Sequence, residues 1–118
     1  MPNDPMIFKV AHIGVNCENE EDAMEQAKIF ADLFGLPTSV GKDSIYSGPF
    51  LELMKGSGRG KHGHIAIVTE DIYKARKTLE ERGHAFDENS AKYDENDRMI
   101  VIYMEREIAG FAIHLLQQ

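Results

Sequence analysis

Three histidines and one glutamate stand out as residues able to do chemistry together: His12 in "VAHIGV", Glu52 in "FLELM", His64 in "GHIAIV" and His114 in "FAIHLL". Imidazole nitrogens with a carboxylate suit Zn, Ni, Co, Fe or Mn far better than Ca or Mg, which favour all-oxygen sites. Taken singly, each has a bland reading. A histidine at a strand start is most often a hydrogen-bonded structural residue, and a glutamate in a strand often only guards an edge. Their placement argues otherwise. The wording His-Ile-x-[Val/Ile] occurs twice, 52 positions apart, and each copy runs into an acidic stretch.

The elements that would carry these residues also repeat. Alternation predicts a strand over Phe8–Cys17, with Ile7, Ala11, Ile13 and Val15 on one face and Phe8, Val10, His12, Gly14 and Asn16 on the other. A helix follows, capped by Asn19 with Asp22 three residues on and ended at Gly35 and Pro37; Ala23, Ala27, Phe30, Ala31 and Phe34 form its apolar stripe. Short strands are expected near Thr38–Gly41, Ser44–Ser47 and Phe50–Lys55. The order then recurs: a strand over Gly63–Thr69, and a helix over Asp71–Arg82 stopped by Gly83, with Ile72, Ala75 and Leu79 inward. Strands are again expected at Ala85–Asp87, Met99–Met104 and Gly110–Leu116, with the polar segment Glu88–Arg98 as a loop between them. The reading is one α+β domain over 1–118 built from two βαβββ modules, about 6–56 and 62–118, since neither could cover its own sheet alone.

Strand parity puts the polar four on a shared side. Leu51 and Leu53 oppose Glu52, Ile65 and Ile67 oppose His64, and Ile113 and Leu115 oppose His114. Bulky aliphatics would pack on the helices, leaving one metal-capable residue mid-strand on the reverse face. Each module contributes from its first and last strand. Tyr46, Phe50 and Met54 are candidates to line the resulting pocket, though core packing would explain them equally well.

Composition narrows the partners. A net charge of -7 argues against nucleic acid or an anionic membrane surface, both of which need clustered Lys and Arg. Cys17 is the only cysteine, so no internal disulfide forms and a reducing compartment is expected. The start "MPNDPMIFKV" has no secretory pattern, and no run approaches the roughly 18 apolar residues of a membrane span, so a cytoplasmic location is expected. The connector "KGSGRGKHG", Lys55 to Gly63, lacks nucleotide-loop spacing; its basic residues Lys55, Arg59 and Lys61 could instead draw an anion toward the site.

With these motifs in place, the chain resembles the vicinal oxygen chelate superfamily, which includes glyoxalase I, methylmalonyl-CoA epimerase, extradiol dioxygenases and bleomycin- and fosfomycin-resistance proteins. Its wording is also similar to the glyoxalase-like domain found C-terminal to some bacterial ketodeoxyphosphogluconate/ketohydroxyglutarate aldolases. The resemblance implies a curved, mixed-sheet half-barrel with a divalent metal held by His12, Glu52, His64 and His114, the last standing where a glutamate is commonest. It implies a small-molecule substrate, a homodimer and, through the second likeness, an aldolase domain as a partner. Whether the site forms within one chain or across two is left open. The implied chemistry is that of a lyase or isomerase acting on a small α-oxo or α-hydroxy acid through an enediolate, with Glu52 as catalytic base. Asn16 and Gly56 occupy the positions where glutathione-binding relatives carry Arg and Asn, so dependence on glutathione is not implied. A third histidine argues against an extradiol dioxygenase. The alternative is a non-catalytic binder of a sugar acid or drug, or an accessory domain of an aldolase. No substrate-binding residue is assigned by sequence.

Overall fold

Leu53, Ile67 and Leu115, predicted by strand alternation to face the helices, pack in two cores that the helices cover. The computed structural model describes residues 6–56 and 58–118; residues 1–5 and 57, which hold part of the amino-terminal stretch and of the connector, lie outside them. The chain runs β1 (Lys9–Asn16), α1 (Glu20–Phe34), β2 (Thr38–Val40), β3 (Ser44–Ser47) and β4 (Leu51–Met54). It continues through β5 (Gly63–Thr69), α2 (Ile72–Glu81), β6 (Phe86–Tyr93), β7 (Met99–Ile108) and β8 (Phe111–Gln117). Two βαβββ modules thus share one mixed sheet that does not close, in the order β2-β3-β4-β1-β5-β8-β7-β6.

Local chemistry sets the helix ends. Asn19 caps α1 by accepting from the Asp22 amide at 2.8 Å, and the Asp22 carboxylate reaches back to the Glu18 amide at 2.9 Å. The acids Glu20, Glu21 and Asp22 also face the positive end of the helix dipole. Gly35, at φ 68°, closes the last turn by donating to the Ala31 carbonyl, a left-handed step that costs glycine least. Asp71 caps α2 in the same way, through the Lys74 amide.

Each helix covers its own module. Ala23 and Ala27 of α1 meet Ile45 and Leu53; Ile72 and Ala75 of α2 meet Phe86, Met99, Ile102 and Leu115. Two expectations fail here. Phe34 is 68% exposed: α1 packs on the core through Ala23 and Ala27, with Met24 and Phe30 beside them, and its final residue lies outside that contact. Glu88–Tyr93 is strand rather than loop: β6 is an edge, where one side needs no apolar residue and polarity is a poor guide.

The seam between modules is the antiparallel pair β1–β5, with Gly14 opposite His64. Within each module the last strand runs parallel to the first, and the registers match: Glu52 sits opposite Gly14, and His114 opposite Ala66. Gly14 and Ala66 each follow a motif histidine by two residues. The repeat read in sequence is therefore a repeat in space.

Candidate metal centre

The four residues picked by parity line a single cavity of about 310 Å³ on the sheet face away from the helices. All four come together within one chain. His12 Nε2 and His64 Nε2 are 3.2 Å apart; Glu52 Oε1 lies 3.1 Å from the His64 nitrogen and 3.4 Å from that of His12. Each of the three histidines offers a ring nitrogen within 4.8 Å of the others, so together they could hold a metal ion.

Positioning is built into neighbouring residues. A side chain at Gly14 would fall inside the His64 imidazole, so the glycine opposite that histidine is what admits the ring. The Ser44 hydroxyl donates to Glu52 Oε2 at 2.7 Å, fixing one carboxylate oxygen and leaving Oε1 for the imidazoles. His114 Nδ1 donates to the Leu115 carbonyl at 3.2 Å, which leaves Nε2 as the nitrogen with a free lone pair. Metal-binding histidines commonly have their second nitrogen tied in this way.

Electrostatics favour neutral imidazoles beside an anion. Burial holds the His12 pKa below its ordinary value, with the Glu52 charge opposing and His64 assisting. Burial likewise brings His114 down to about 4, against the pull of its bond to the Leu115 carbonyl. The His64 bond holds Glu52 below the ordinary carboxylate range, aided by Ser44 and His12 and opposed by burial. Neutral imidazole and ionised carboxylate are the forms a metal requires.

The contacts test the fit directly. Three close contacts join His12 Nε2, His64 Nε2 and Glu52 Oε1, yet the two nitrogens bring at most two protons between them. A cation would engage all three lone pairs at once. Donor atoms around an ion at about 2 Å are spaced roughly 2.9 to 3.4 Å apart in octahedral or tetrahedral arrangements; the three observed separations, 3.1, 3.2 and 3.4 Å, fall in that interval.

Two tyrosines flank the donors in equivalent places. Tyr46 pairs across β3–β4 with Glu52, and Tyr103 pairs across β7–β8 with His114. Burial raises both hydroxyl pKa values; Glu52 adds to each, while Arg59 opposes at Tyr103. Met54 also lines the cavity, whereas Phe50 is 62% exposed in a turn. Tyr103 and Lys92 were not anticipated. The signal for Tyr103 was available: it bears the relation to His114 that Tyr46 bears to Glu52. Of the connector cations, Lys55 pairs with Glu20 at 3.4 Å, away from the cavity. Arg59 does not line the cavity itself but stacks on one of its walls, its guanidinium 4.5 Å over the Tyr103 ring. Asn16, in a glutathione-contact position, is committed to that connector: it donates to the Gly60 carbonyl at 3.0 Å and accepts from the Gly58 amide at 3.2 Å.

No protein-family model and no curated protein sequence matches the chain. Solved structures do. A methylmalonyl-CoA epimerase shares 18% identity over 98% of both chains with a TM-score of 0.66. The Streptomyces coelicolor epimerase bound to 2-nitronate-propionyl-CoA shares 14%, covering 93% of this chain and 96% of that one, with a TM-score of 0.62. A hypothetical protein from Bacillus halodurans shares 16% over 94% of each chain with a TM-score of 0.66. At such identities the likeness is one of fold, the glyoxalase-like fold. Among the described residues no helix is long and apolar enough to cross a membrane.

Proposed function

We propose that this chain is a divalent-metal-dependent enzyme of the lyase or isomerase type, acting beside the carbonyl of a small α-oxo or α-hydroxy acid. The observation that carries the reading is the convergence of His12, Glu52 and His64 within 3.4 Å, with His114 on the same cavity. His12, His64, His114 and Glu52 would hold the ion. Bound there, a divalent metal would supply Lewis acidity to the substrate's oxygens.

The remaining chemistry falls to the chain itself. Glu52 would serve in turn as ligand and as base: it is ionised, its Oε2 is anchored by Ser44, and its Oε1 faces the cavity, where it would leave the ion to take the proton. Tyr46 and Tyr103 keep their protons at neutral pH, so each can donate a hydrogen bond to oxygen on its side of the cavity. The methylmalonyl group bound by one structural neighbour also carries an acidic C–H beside a carbonyl. That likeness of task supports proton abstraction over simple binding.

The test is proton exchange. Metal-loaded protein incubated with α-oxo or α-hydroxy acids in deuterated water exchanges the proton on the carbon beside the carbonyl, whereas a binding protein leaves it in place. Glu52→Gln, assayed at saturating metal, lowers the exchange rate by about two to four orders of magnitude, the usual worth of a positioned base. Undiminished exchange in that variant would assign the base elsewhere.

A further inference from the structure

The wall of the cavity contributed by the second module is cationic, and β6 is bent to make it so. Lys92 lines the same cavity as the four donors. Asp87 and Lys92 are an odd number of residues apart, so in an unbroken strand their side chains would point to opposite faces. Here Asp87 faces Tyr103 and Lys92 faces Val101, two residues of β7 that share the cavity face. Residues 88–91 thus form an extended bulge within β6 opposite Ile102 alone, and the bulge carries Lys92 onto the side it would otherwise miss. Ser90 pins the bulge. Buried at 7%, it donates to the Asp87 carbonyl at 2.6 Å and accepts from the Tyr103 amide at 2.8 Å.

Arg59 approaches the same wall from the connector. Its guanidinium lies over the Tyr103 ring, and that ring is 4.8 Å from the His114 ring. One of its nitrogens meets Asp87 at 3.4 Å, leaving further donors in the fork. The Asn16 bridge to Gly58 and Gly60 holds the backbone on both sides of Arg59. Asp87 offsets part of this charge where it meets Arg59, leaving Lys92 as the uncompensated cation of the wall; Asp43 lines the first-module side of the cavity and Glu52 its floor.

We propose that Lys92 and Arg59 form an anion subsite for the far end of the substrate, which is therefore an α-oxo or α-hydroxy acid carrying a second carboxylate or a phosphate. The inference rests on the metal-centre reading above: one end of the acid lies at His12, Glu52, His64 and His114, and the other reaches the Lys92 wall. A monocarboxylic acid fills only the first half. Arg59 and Lys92 do not touch the reacting carbon; they select the acid and orient it.

Equilibrium binding to the cobalt-loaded protein, followed by calorimetry, tests this without relying on turnover. Lactate against malate isolates a distal carboxylate, and glycerate against 3-phosphoglycerate isolates a distal phosphate. At least one doubly anionic acid is expected to bind about tenfold or more tightly than its singly anionic counterpart, as befits charge-assisted hydrogen bonds. The larger of the two gaps names the group. In Arg59→Ala/Lys92→Ala, whose two side chains sit outside both cores, the gap collapses to within about twofold while cobalt affinity and lactate affinity stay unchanged. Equal binding of each pair by the wild type, or a gap that survives the double substitution, overturns the subsite while leaving the metal centre intact. Failure to load cobalt, and Zn, Ni, Fe and Mn in its place, removes both readings.

Discussion

Gly14 makes the sharpest demand of any single residue. It carries no side chain because the His64 ring occupies the space where its Cβ would be. Gly14→Ala should therefore expel the imidazole from the donor set. Overpacking of this kind costs about 1–3 kcal/mol, and loss of a positioned donor should weaken metal affinity by about tenfold or more. Denaturation and metal titration read the two effects, and unchanged metal affinity would show that His64 is not a ligand. His114 sets the pH response of the metal-free protein. Its pKa is about 4 in the fold against an ordinary 6.5, so on acidification the unfolded chain takes up the proton first. The contribution is fully present above the ordinary value and is lost progressively as pH falls toward about 4, a window worth on the order of 3 kcal/mol. His12 acts in the same direction, while Glu52, held below 4.5, withdraws stability only at lower pH still. Denaturation midpoints across this range should slope in the wild type and flatten in His114→Gln; equal slopes would contradict the assignment.

Strands and connectors decide what those residues can reach. Parity alone places the four residues on one cavity, because β1, β4, β5 and β8 keep their alternation around them: Leu53 and Leu115 pack under helices while Glu52 and His114 face the cavity. Parity could not find Lys92. A bulge reverses alternation, and its signature is a register against β7, which a single strand's sequence does not contain. The same polar residues made Glu88–Tyr93 look like a loop. Phe34 misled in the opposite way, since periodicity gives a helix its apolar stripe but not the length of sheet available to cover it. Ser90 tests the account of the bulge. Ser90→Ala strands the Tyr103 amide and should cost about 1–3 kcal/mol. Exchange of that amide should accelerate while metal content holds, because the donors lie on other strands. If the exchange rate is unaltered, Ser90 does not hold the bulge.

At the scale of the molecule, duplication becomes a site. Each module supplies one histidine from its first strand and one polar residue from its last, and the β1–β5 seam sets the two pairs face to face within one chain. Neither module holds the quartet alone. The 52-residue recurrence foretold this arrangement; the order of strands across the seam, which joins the pairs, depends on tertiary pairing. An ion shared by both modules should also tie them together, adding about 2.7 kcal/mol of stability at a hundred times its dissociation constant.

Metal content of the purified protein after dialysis, read beside that of His64→Ala, bears on this most directly. The account predicts one divalent transition-metal ion per wild-type chain and almost none in the variant. Equal occupancy in the two proteins, or a wild type that refuses Zn, Ni, Co, Fe and Mn alike, would contradict it.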